Sequence, residues 1–135
     1  MPLLVDTGVI FALAYRKDAW HARVRAYLES YAGPLLAPVT ILPEVAYLLR
    51  DRIGPHAEQA FAVSLADGEI GVEHVTHKDW QRVAELTSTY ETLGFVDASV
   101  VAIAERLKLH TIATTDRRDF GIVRPAHVGR FTLVP

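Results

Sequence analysis

Short apolar runs alternate with segments of helical periodicity along the whole chain, and this alternation constrains the fold more than any other feature. The first run, residues 2–5, ends abruptly at Asp6, which is typical of a buried parallel strand. We predict further strands at residues 35–37, 70–75, 111–114 and 131–134, the last of them at a sheet edge. Because crossovers between parallel strands are right-handed and cover the sheet with helices, the pattern predicts an α/β fold: a three-layer α/β/α sandwich with a mostly parallel central sheet.

Helical segments separate these strands. We predict helices at residues 9–14, 40–50, 57–65 and 96–107, with others following Asp18 and Thr76. Thr76 and Asp79 have the spacing of a capping box, with Asp in place of the usual Glu. The helix that they begin is expected to turn four side chains toward the core: Trp80, Val83, Ala84 and Leu86.

Length and composition limit the classes of protein to consider. With 135 residues, the chain is expected to form one domain over residues 1–135. Half of the residues are hydrophobic, which excludes a disordered tail, and the lack of cysteine excludes disulfides and thiolate metal sites. A net charge of −2 excludes a simple DNA-coating protein. Since neither a signal peptide nor a membrane span is evident, we expect a cytoplasmic protein without a membrane partner.

Two predicted strands end in an acidic residue, Asp6 after the first and Asp116 after the fourth. Ligands of open α/β sheets bind at the carboxyl ends of the strands, so both carboxylates are expected at one rim. For either residue alone, a turn that satisfies nearby backbone amides is the simpler explanation.

Two more acids interrupt apolar segments near predicted helix starts. Glu44 follows Pro43, where the helix dipole favours a carboxylate, and Asp97 has the position of a helix N-cap. A capping role would explain Asp97 taken by itself. Large apolar residues lie beside both acids, however, and this setting directs the two carboxylates toward the sheet rim. The combination of Asp6, Glu44, Asp97 and Asp116 is therefore more informative than any member.

If these four acids meet, their repulsion requires protons or cations. Two carboxylates about 4 Å apart repel by roughly 4 kcal/mol at an effective dielectric constant of 20. Ligation by oxygen alone selects hard ions such as Mg²⁺ or Mn²⁺, which also bind phosphate oxygens. The acids therefore indicate phosphoryl chemistry.

Four segments of this chain resemble a known family. They are Leu-Val-Asp6-Thr-Gly-Val-Ile, Pro38-Val-Thr-Ile-Leu-Pro-Glu44-Val-Ala-Tyr-Leu-Leu, Val96-Asp97-Ala-Ser-Val-Val-Ala-Ile-Ala and Ile-Ala-Thr-Thr-Asp116-Arg-Arg-Asp-Phe-Gly. In order and type they are similar to the motifs of PIN-domain ribonucleases, and within that family the chain resembles the VapC toxins of VapBC toxin–antitoxin pairs. The resemblance runs nearly from end to end.

The resemblance implies a Mg²⁺- or Mn²⁺-dependent endoribonuclease that cuts structured RNA, such as tRNA or rRNA. Asp6, Asp97 and Asp116 would then hold one or two ions, and Glu44 would orient or deprotonate the attacking water. It also implies a homodimer, an inhibiting VapB-type antitoxin, and contact with operator DNA only through the antitoxin complex.

Three positions adjacent to these four acids either match the family pattern or depart from it. Thr115 has the small hydroxyl often found just before the last acid. Gly8 is a departure, since relatives usually carry Ser or Asn there, so a side-chain hydrogen bond is absent. Asp119 is another, often His in similar proteins. Its carboxylate either joins the metal shell or forms a turn, and we favour the turn.

Cations must flank an acidic pocket that is to accept RNA. The candidates for phosphate contacts lie in loops near the expected rim: Arg16, Lys17, Arg117, Arg118 and Arg124. For each of them singly, an ordinary solvated surface position is about as good an explanation.

Three other functions remain open for this sequence. A catalytically silent PIN scaffold would only bind antitoxin and operator. A phosphatase of the haloacid-dehalogenase type usually has a second Asp two residues after the first, where this chain has Gly8. A receiver domain needs an acidic pair after the first strand and a Lys after a late strand, whereas Lys108 precedes its strand.

Overall fold

Five parallel strands form a single sheet at the centre of the molecule. The computed structural model describes residues 1–135, and its strands are β1 (Leu3–Val5), β2 (Leu35–Pro38), β3 (Ile70–Glu73), β4 (Thr111–Ala113) and β5 (Thr132–Val134). Their order is β3-β2-β1-β4-β5, so β5 lies at an edge, as the sequence predicted.

Seven α-helices flank the sheet. They are α1 (Thr7–Ala14), α2 (His21–Ser30), α3 (Leu42–Arg52), α4 (Pro55–Ala66), α5 (His77–Thr89), α6 (Phe95–Arg106) and α7 (Arg117–Ile122), with a 3-10 turn at Val39–Ile41. Helices α1 to α4 pack on one another, and α5 packs on α6. None of these helices combines the length and the apolar character needed to cross a bilayer. The predicted α/β/α fold with a parallel sheet is confirmed.

The path of the chain through the sheet creates a crevice beside β1. From β1 the chain proceeds outward to β2 and β3, then returns to place β4 on the other side of β1. Val5 of β1 lies opposite Ala113 of β4, and the next backbone amide, that of Asp6, donates to the Ala113 carbonyl at 3.1 Å. Open α/β sheets bind ligands in the crevice at which the strand order reverses.

Burial explains why β1 and α6 are so uniformly apolar. All three residues of β1 are buried, as expected for a central strand covered on both faces. Residues 98–105 of α6 are also buried throughout, so this helix has no solvent-facing stripe. Strand β1, which directly precedes Asp6, and helix α6, which contains Asp97, are therefore parts of the core.

Several predicted boundaries and one predicted face were wrong. The 40–50 helix begins with a 3-10 turn, the third strand ends at Glu73 instead of residue 75, and α7 was not predicted. In α5 the capping box of Thr76 and Asp79 is confirmed, and Val83 and Leu86 are buried. Trp80 is 40% exposed and Ala84 is exposed, however, because buried Asp79 takes the inward position and pairs with Arg106.

Candidate active site

A pocket of about 240 Å³ opens at the carboxyl ends of β1 and β4 and contains all four predicted acids. The residues come from the ends of both strands and from the beginnings of three helices. They are Asp6, Thr7, Gly8, Ile41, Glu44, Val96, Asp97, Thr115 and Asp116. Residues remote in sequence thus converge on one small volume, as the strand-end pattern predicted.

Asp6 is the most deeply placed acid of the pocket, with 6% of its surface exposed. It caps α1, accepting the Val9 amide at 3.3 Å on Oδ1, and it accepts the Thr114 hydroxyl on Oδ2. Burial raises the pKa of Asp6 to about 6, although the hydrogen bonds from Thr114 and Val9 oppose that rise. The carboxylate is therefore held in one orientation by neutral donors and has no cationic partner.

Thr114 links two of the acids, and the sequence analysis missed it. Its fully buried side chain donates to Asp6 and accepts the Asp116 amide at 2.9 Å. The neighbouring Thr115, which was singled out from the sequence, lines the pocket but makes no side-chain hydrogen bond. The signal that could have identified Thr114 is the parallel register of β4 on β1, which places the first residue past β4 beside the first residue past β1.

Glycine at position 8 is explained by its neighbour Thr115. A Cβ built on Gly8 would lie 2.2 Å from the Thr115 hydroxyl oxygen, which is far inside van der Waals contact. The Thr115 side chain therefore occupies the space that the Ser or Asn side chain usual in relatives would need at position 8.

Asp97 enters the pocket from the first turn of α6. The N-cap of that helix is Gly94, so the explanation of Asp97 as a helix cap is wrong. Its half-buried carboxylate accepts no hydrogen bond from the protein. Burial, followed by the charges of Asp116, Asp6, Asp119 and Glu44 in that order, raises the pKa of Asp97 to about 7. All five acids therefore share one electrostatic environment.

Glu44 lies at the exposed rim, in the first turn of α3. Its Oε1 accepts the Thr7 hydroxyl at 2.7 Å, so Thr7, the residue after Asp6, fixes the position of the rim carboxylate. A second hydroxyl pair, Thr40 and Ser99 at 2.6 Å, joins the 3-10 turn before α3 to α6. The first contact joins α1 to α3, and the second joins the start of α3 to α6, the helix of Asp97. Neither contact was predicted from the sequence.

Asp116 and Asp119 are joined through the start of α7. Asp116 caps this helix by accepting the Asp119 amide at 3.3 Å. Asp119 lies in the first helical turn, and burial and the Asp116 carboxylate raise its pKa. One carboxylate oxygen from each of Asp97, Asp116 and Asp119 lies within 4.8 Å of the others. Asp6, which was predicted as a ligand, lines the same pocket but is not a member of this group of three.

The donor set fits a hard divalent cation. Its donors are carboxylate oxygens, the most buried of them have raised pKa values, and no Lys or Arg forms an ion pair with any of the five acids. Mg²⁺ and Mn²⁺ favour such oxygen ligands and retain waters for a substrate phosphate to replace. Asp97, Asp116 and Asp119 are the residues that can hold such an ion together.

The predicted phosphate-binding cations are all exposed and free of ion pairs with acidic side chains: Arg16, Lys17, Arg117, Arg118 and Arg124. Arg118 is near enough to Asp119 to lower its pKa. Arg117 lies against Trp20. Arg16 and Lys17 belong to the loop after α1, and the backbone amide of Arg124 donates to the Tyr90 hydroxyl.

Comparisons with known proteins agree with this geometry. A family model described as the PIN domain matches residues 3–124. Ribonuclease VapC26 of Mycobacterium tuberculosis is 31% identical over 135 residues, covering 98% of this chain and all of that protein. The structure of M. tuberculosis VapC20, described as a sarcin-ricin loop cleaving toxin, has a TM-score of 0.79 and 25% identity, with 94% and 98% of the chains covered. VapBC2 from Rickettsia felis, bound to a DNA fragment from its promoter, has a TM-score of 0.72 at 13% identity over the full length of both chains.

Proposed function

The chain belongs to the PIN-domain family, in its VapC branch, and from this membership we propose that it is a metal-dependent endoribonuclease toxin. The observation that carries the proposal is the convergence of Asp6, Glu44, Asp97 and Asp116 on one pocket without a cationic partner. We take the whole chain, 1–135, as one PIN domain, because β5 lies beyond the matched residues and still pairs with β4 in the sheet.

We propose Mg²⁺ or Mn²⁺ as the cofactor, held by Asp97 and Asp116 with Asp119 or Asp6 completing the carboxylate set. Such an ion supplies positive charge to the phosphodiester in its transition state and lowers the pKa of water at the site. Loading requires the ionised form of Asp97, so metal binding and proton release are coupled.

The roles of the chain's own residues follow from their positions. Glu44 at the rim, oriented by Thr7, accepts the proton of the attacking water. Asp6, held by Thr114 and the Val9 amide, keeps its carboxylate fixed toward Asp97 and Asp116. The products of this attack are a 3′-hydroxyl and a 5′-phosphate, and no catalytic histidine is needed.

We propose a structured RNA, tRNA or rRNA, as the substrate. VapC20 is described as cleaving the sarcin-ricin loop, and at 25% identity this supports the class of substrate for the present chain. Folded RNA is recognised through shape and through bases splayed out of loops. The choice between tRNA and rRNA therefore depends on the surface around the pocket. We propose the cytoplasm as the place of action, because both RNAs are found there.

An antitoxin partner is the second part of the proposal, as in VapBC2, and operator DNA would be contacted only through that complex. An apolar groove of about 800 Å³ between α3 and α4 contains Leu42 and Pro43, which directly precede Glu44. A VapB-type segment lying in this groove, with basic residues entering the acidic pocket, would block RNA. We also propose a homodimer. On α4, Val63 is 43% exposed and available to such an interface, whereas Phe61 is buried in the core.

RNA cleavage by the purified protein tests the proposal. Total RNA is incubated with Mg²⁺, with Mn²⁺ or with EDTA, and new 5′ ends are mapped for the natural protein and for Asp6→Asn and Asp97→Asn. We expect one dominant cleavage position that depends on the ion and is lost in both variants. Cleavage that persists in EDTA, or cleavage by both variants that is undiminished relative to the natural protein, would exclude the proposed site. A protein that binds metal and RNA but never cleaves would favour the silent scaffold.

A further inference from the structure

Trp20 lies against two arginines from different parts of the chain. The guanidinium carbon of Arg23, in α2, is 4.2 Å from the centroid of the indole, and that of Arg117, the first residue of α7, is 5.5 Å away. Both distances are within the range of cation–π attraction. The loop between α1 and α2 is thereby connected to the residue that directly follows Asp116.

Neither guanidinium forms an ion pair with an Asp or Glu side chain. Arg25, two residues beyond Arg23 on the same helix, does pair with Glu29 at 2.8 Å. Because both carbons are close to one ring, Arg23 and Arg117 are separated by no more than about 10 Å, the sum of the two distances. Two like charges held this close, with no Asp or Glu side chain paired to either, favour the binding of an anion.

The position of the two arginines beside the acidic pocket favours a phosphate of the entering RNA strand as the anion. Asp116 lines the acidic pocket and Arg117 is bonded to it, so the cluster begins where the pocket ends. Arg16 and Lys17, in the same loop as Trp20, extend the positive surface. A pocket lined by four acids repels a polyanion, and cations beside it offset that repulsion for the strand that must enter.

The guanidinium edges retain donors for phosphate. Arg117 donates one N–H to a main-chain oxygen of Pro135, which leaves most of its five N–H groups free. The side chain of Arg23 donates no hydrogen bond within the chain. An arginine stacked on an aromatic ring loses little further freedom when its edge binds an oxygen pair, which makes it a better phosphate ligand than a free lysine.

We propose that Trp20, Arg23 and Arg117 form a phosphate clamp that holds the RNA backbone beside the scissile bond. The inference rests on the proposed ribonuclease function and adds two residues, Trp20 and Arg23, that the sequence analysis did not assign to RNA. Trp20 acts as a positioning residue, since it orients the arginines and does not contact the phosphate. Phosphate contacts carry no base information, so the clamp contributes affinity and register but no sequence preference.

Binding measurements with matched variants test the clamp. All proteins carry Asp97→Asn to prevent cleavage, and the probe is a fluorescein-labelled stem-loop RNA whose anisotropy is followed at several salt concentrations. We expect Arg23→Ala and Arg117→Ala each to weaken binding about 5- to 10-fold and to reduce the slope of log K against log salt by about 0.7 to 1. Arg25→Ala is the control, and we expect it to stay within about twofold of the parent.

A second set of variants separates the role of Trp20 from that of the charges. Trp20→Phe retains an aromatic platform and Trp20→Leu does not, and thermal melts check that both fold. In a double-mutant cycle, the loss caused by Arg23→Ala should shrink in the Trp20→Leu background and persist in Trp20→Phe. A loss of the same size in both backgrounds would show that Trp20 does not position the arginine.

The outcomes distinguish the clamp from the enzyme. In the cleaving protein, Arg23→Ala should raise KM and leave kcat unchanged, because the contact is the same in substrate and transition state. If Arg23→Ala behaves like Arg25→Ala in every assay while the natural protein cleaves RNA, the clamp is wrong and the proposed function stands. If binding depends on Arg23 but no RNA is ever cut with Mg²⁺ or Mn²⁺, the clamp stands and the enzyme does not.

Discussion

Helix α6 has a cluster of carboxylates at each end. The acids of one cluster are paired with arginines, and those of the other are not. At its C-terminal end Glu105 binds Arg82 with both oxygens, at 2.7 and 3.0 Å, and also accepts the Ala126 amide. The neighbouring residue Arg106 pairs with Asp79 and Glu73. At the N-terminal end Asp97 meets four other acids and no cation. Eight residues, about 12 Å of helix, separate the two environments.

Burial does not distinguish these clusters. Asp79 is 3% exposed and Asp6 is 6% exposed, but the first has an arginine partner and the second has a threonine hydroxyl and a backbone amide. A carboxylate paired with arginine already has the charge compensation that folding requires. A carboxylate without one remains available to an ion from solution. The absence of a cationic partner, more than burial, distinguishes the acids that we propose as functional.

The largest expected effect comes from neutralising an unpaired acid. Asp97→Asn removes the negative charge and one oxygen of this carboxylate from the site that is to hold the ion. We expect the cleavage rate to fall about 10³-fold, equivalent to about 4 kcal/mol of transition-state stabilisation. Its thermal stability without metal should not fall, because like-charge repulsion is relieved. Single-turnover cleavage and a thermal melt on the same preparation measure both. A clear loss of stability together with retained activity would reverse the roles of the two ends of α6.

Glu105→Ala should have the opposite profile. The change leaves the Ala126 amide without its acceptor and leaves Arg82 with only its exposed partner Glu85. We expect a loss of about 2 kcal/mol in the free energy of unfolding, below the value for a fully buried pair because Arg82 is 31% exposed and keeps that second partner. Urea unfolding measures the loss. Glu29→Ala, which breaks the exposed pair with Arg25, is the control and should cost less than about 0.5 kcal/mol. Cleavage below the unfolding transition should be close to that of the natural protein.

The pH dependence of stability should also separate the clusters. Asp6 and Asp97 have pKa values raised from 3.8 to about 6 and about 7 in the folded protein. The folded state therefore binds more protons than the unfolded state, and the stability that this contributes is complete below pH 4 and is lost as the pH rises through 6 to 7. Without metal, the natural protein should lose about 1 to 2 kcal/mol more than Asp97→Asn between pH 5 and 7.5. Urea unfolding in EDTA at the two pH values gives this difference, and equal losses would contradict the raised pKa of Asp97.

The smallest expected effect concerns the neutral wall of the pocket. Gly8→Ala places a Cβ against the Thr115 hydroxyl, and we expect a loss of about 1 kcal/mol in stability with a modest fall in cleavage rate. Because the contact is with a single oxygen, Thr115→Ala in the same protein should recover most of both losses. Unfolding and cleavage assays on the single and double variants measure the coupling. Additive effects would show that the two positions do not share this space.

Much of the fold and the acids of the site followed from local sequence patterns. Apolar runs that end in Asp6 and Asp116 placed two acids at one rim because strand direction is a property of the whole parallel sheet. Glu44 and Asp97 were found because a carboxylate among large apolar residues is unusual. These signals depend only on residue type and spacing, so they survive without knowledge of tertiary contacts.

What the sequence did not reveal depends on contacts between distant residues. Thr114 was overlooked in favour of Thr115, since only the register of β4 on β1 decides which hydroxyl meets Asp6. Helical spacing predicted that Trp80 lies in the core. Instead, Asp79 pairs with Arg106, so the side of α5 that carries Asp79 faces inward and Trp80 is 40% exposed. The α7 helix, six residues long and capped by Asp116, is too short to produce a periodic pattern.

Anomalous scattering from Mn²⁺ in crystals of the protein tests the central claim most directly. We expect a single strong peak coordinated by carboxylate oxygens of Asp97 and Asp116, with no peak in crystals of Asp97→Asn and no peak at the paired acids Asp79 and Glu105. Well-ordered crystals at saturating Mn²⁺ that show the pocket empty, or the ion bound only at other carboxylates, would contradict the assignment of the unpaired acids as the metal site.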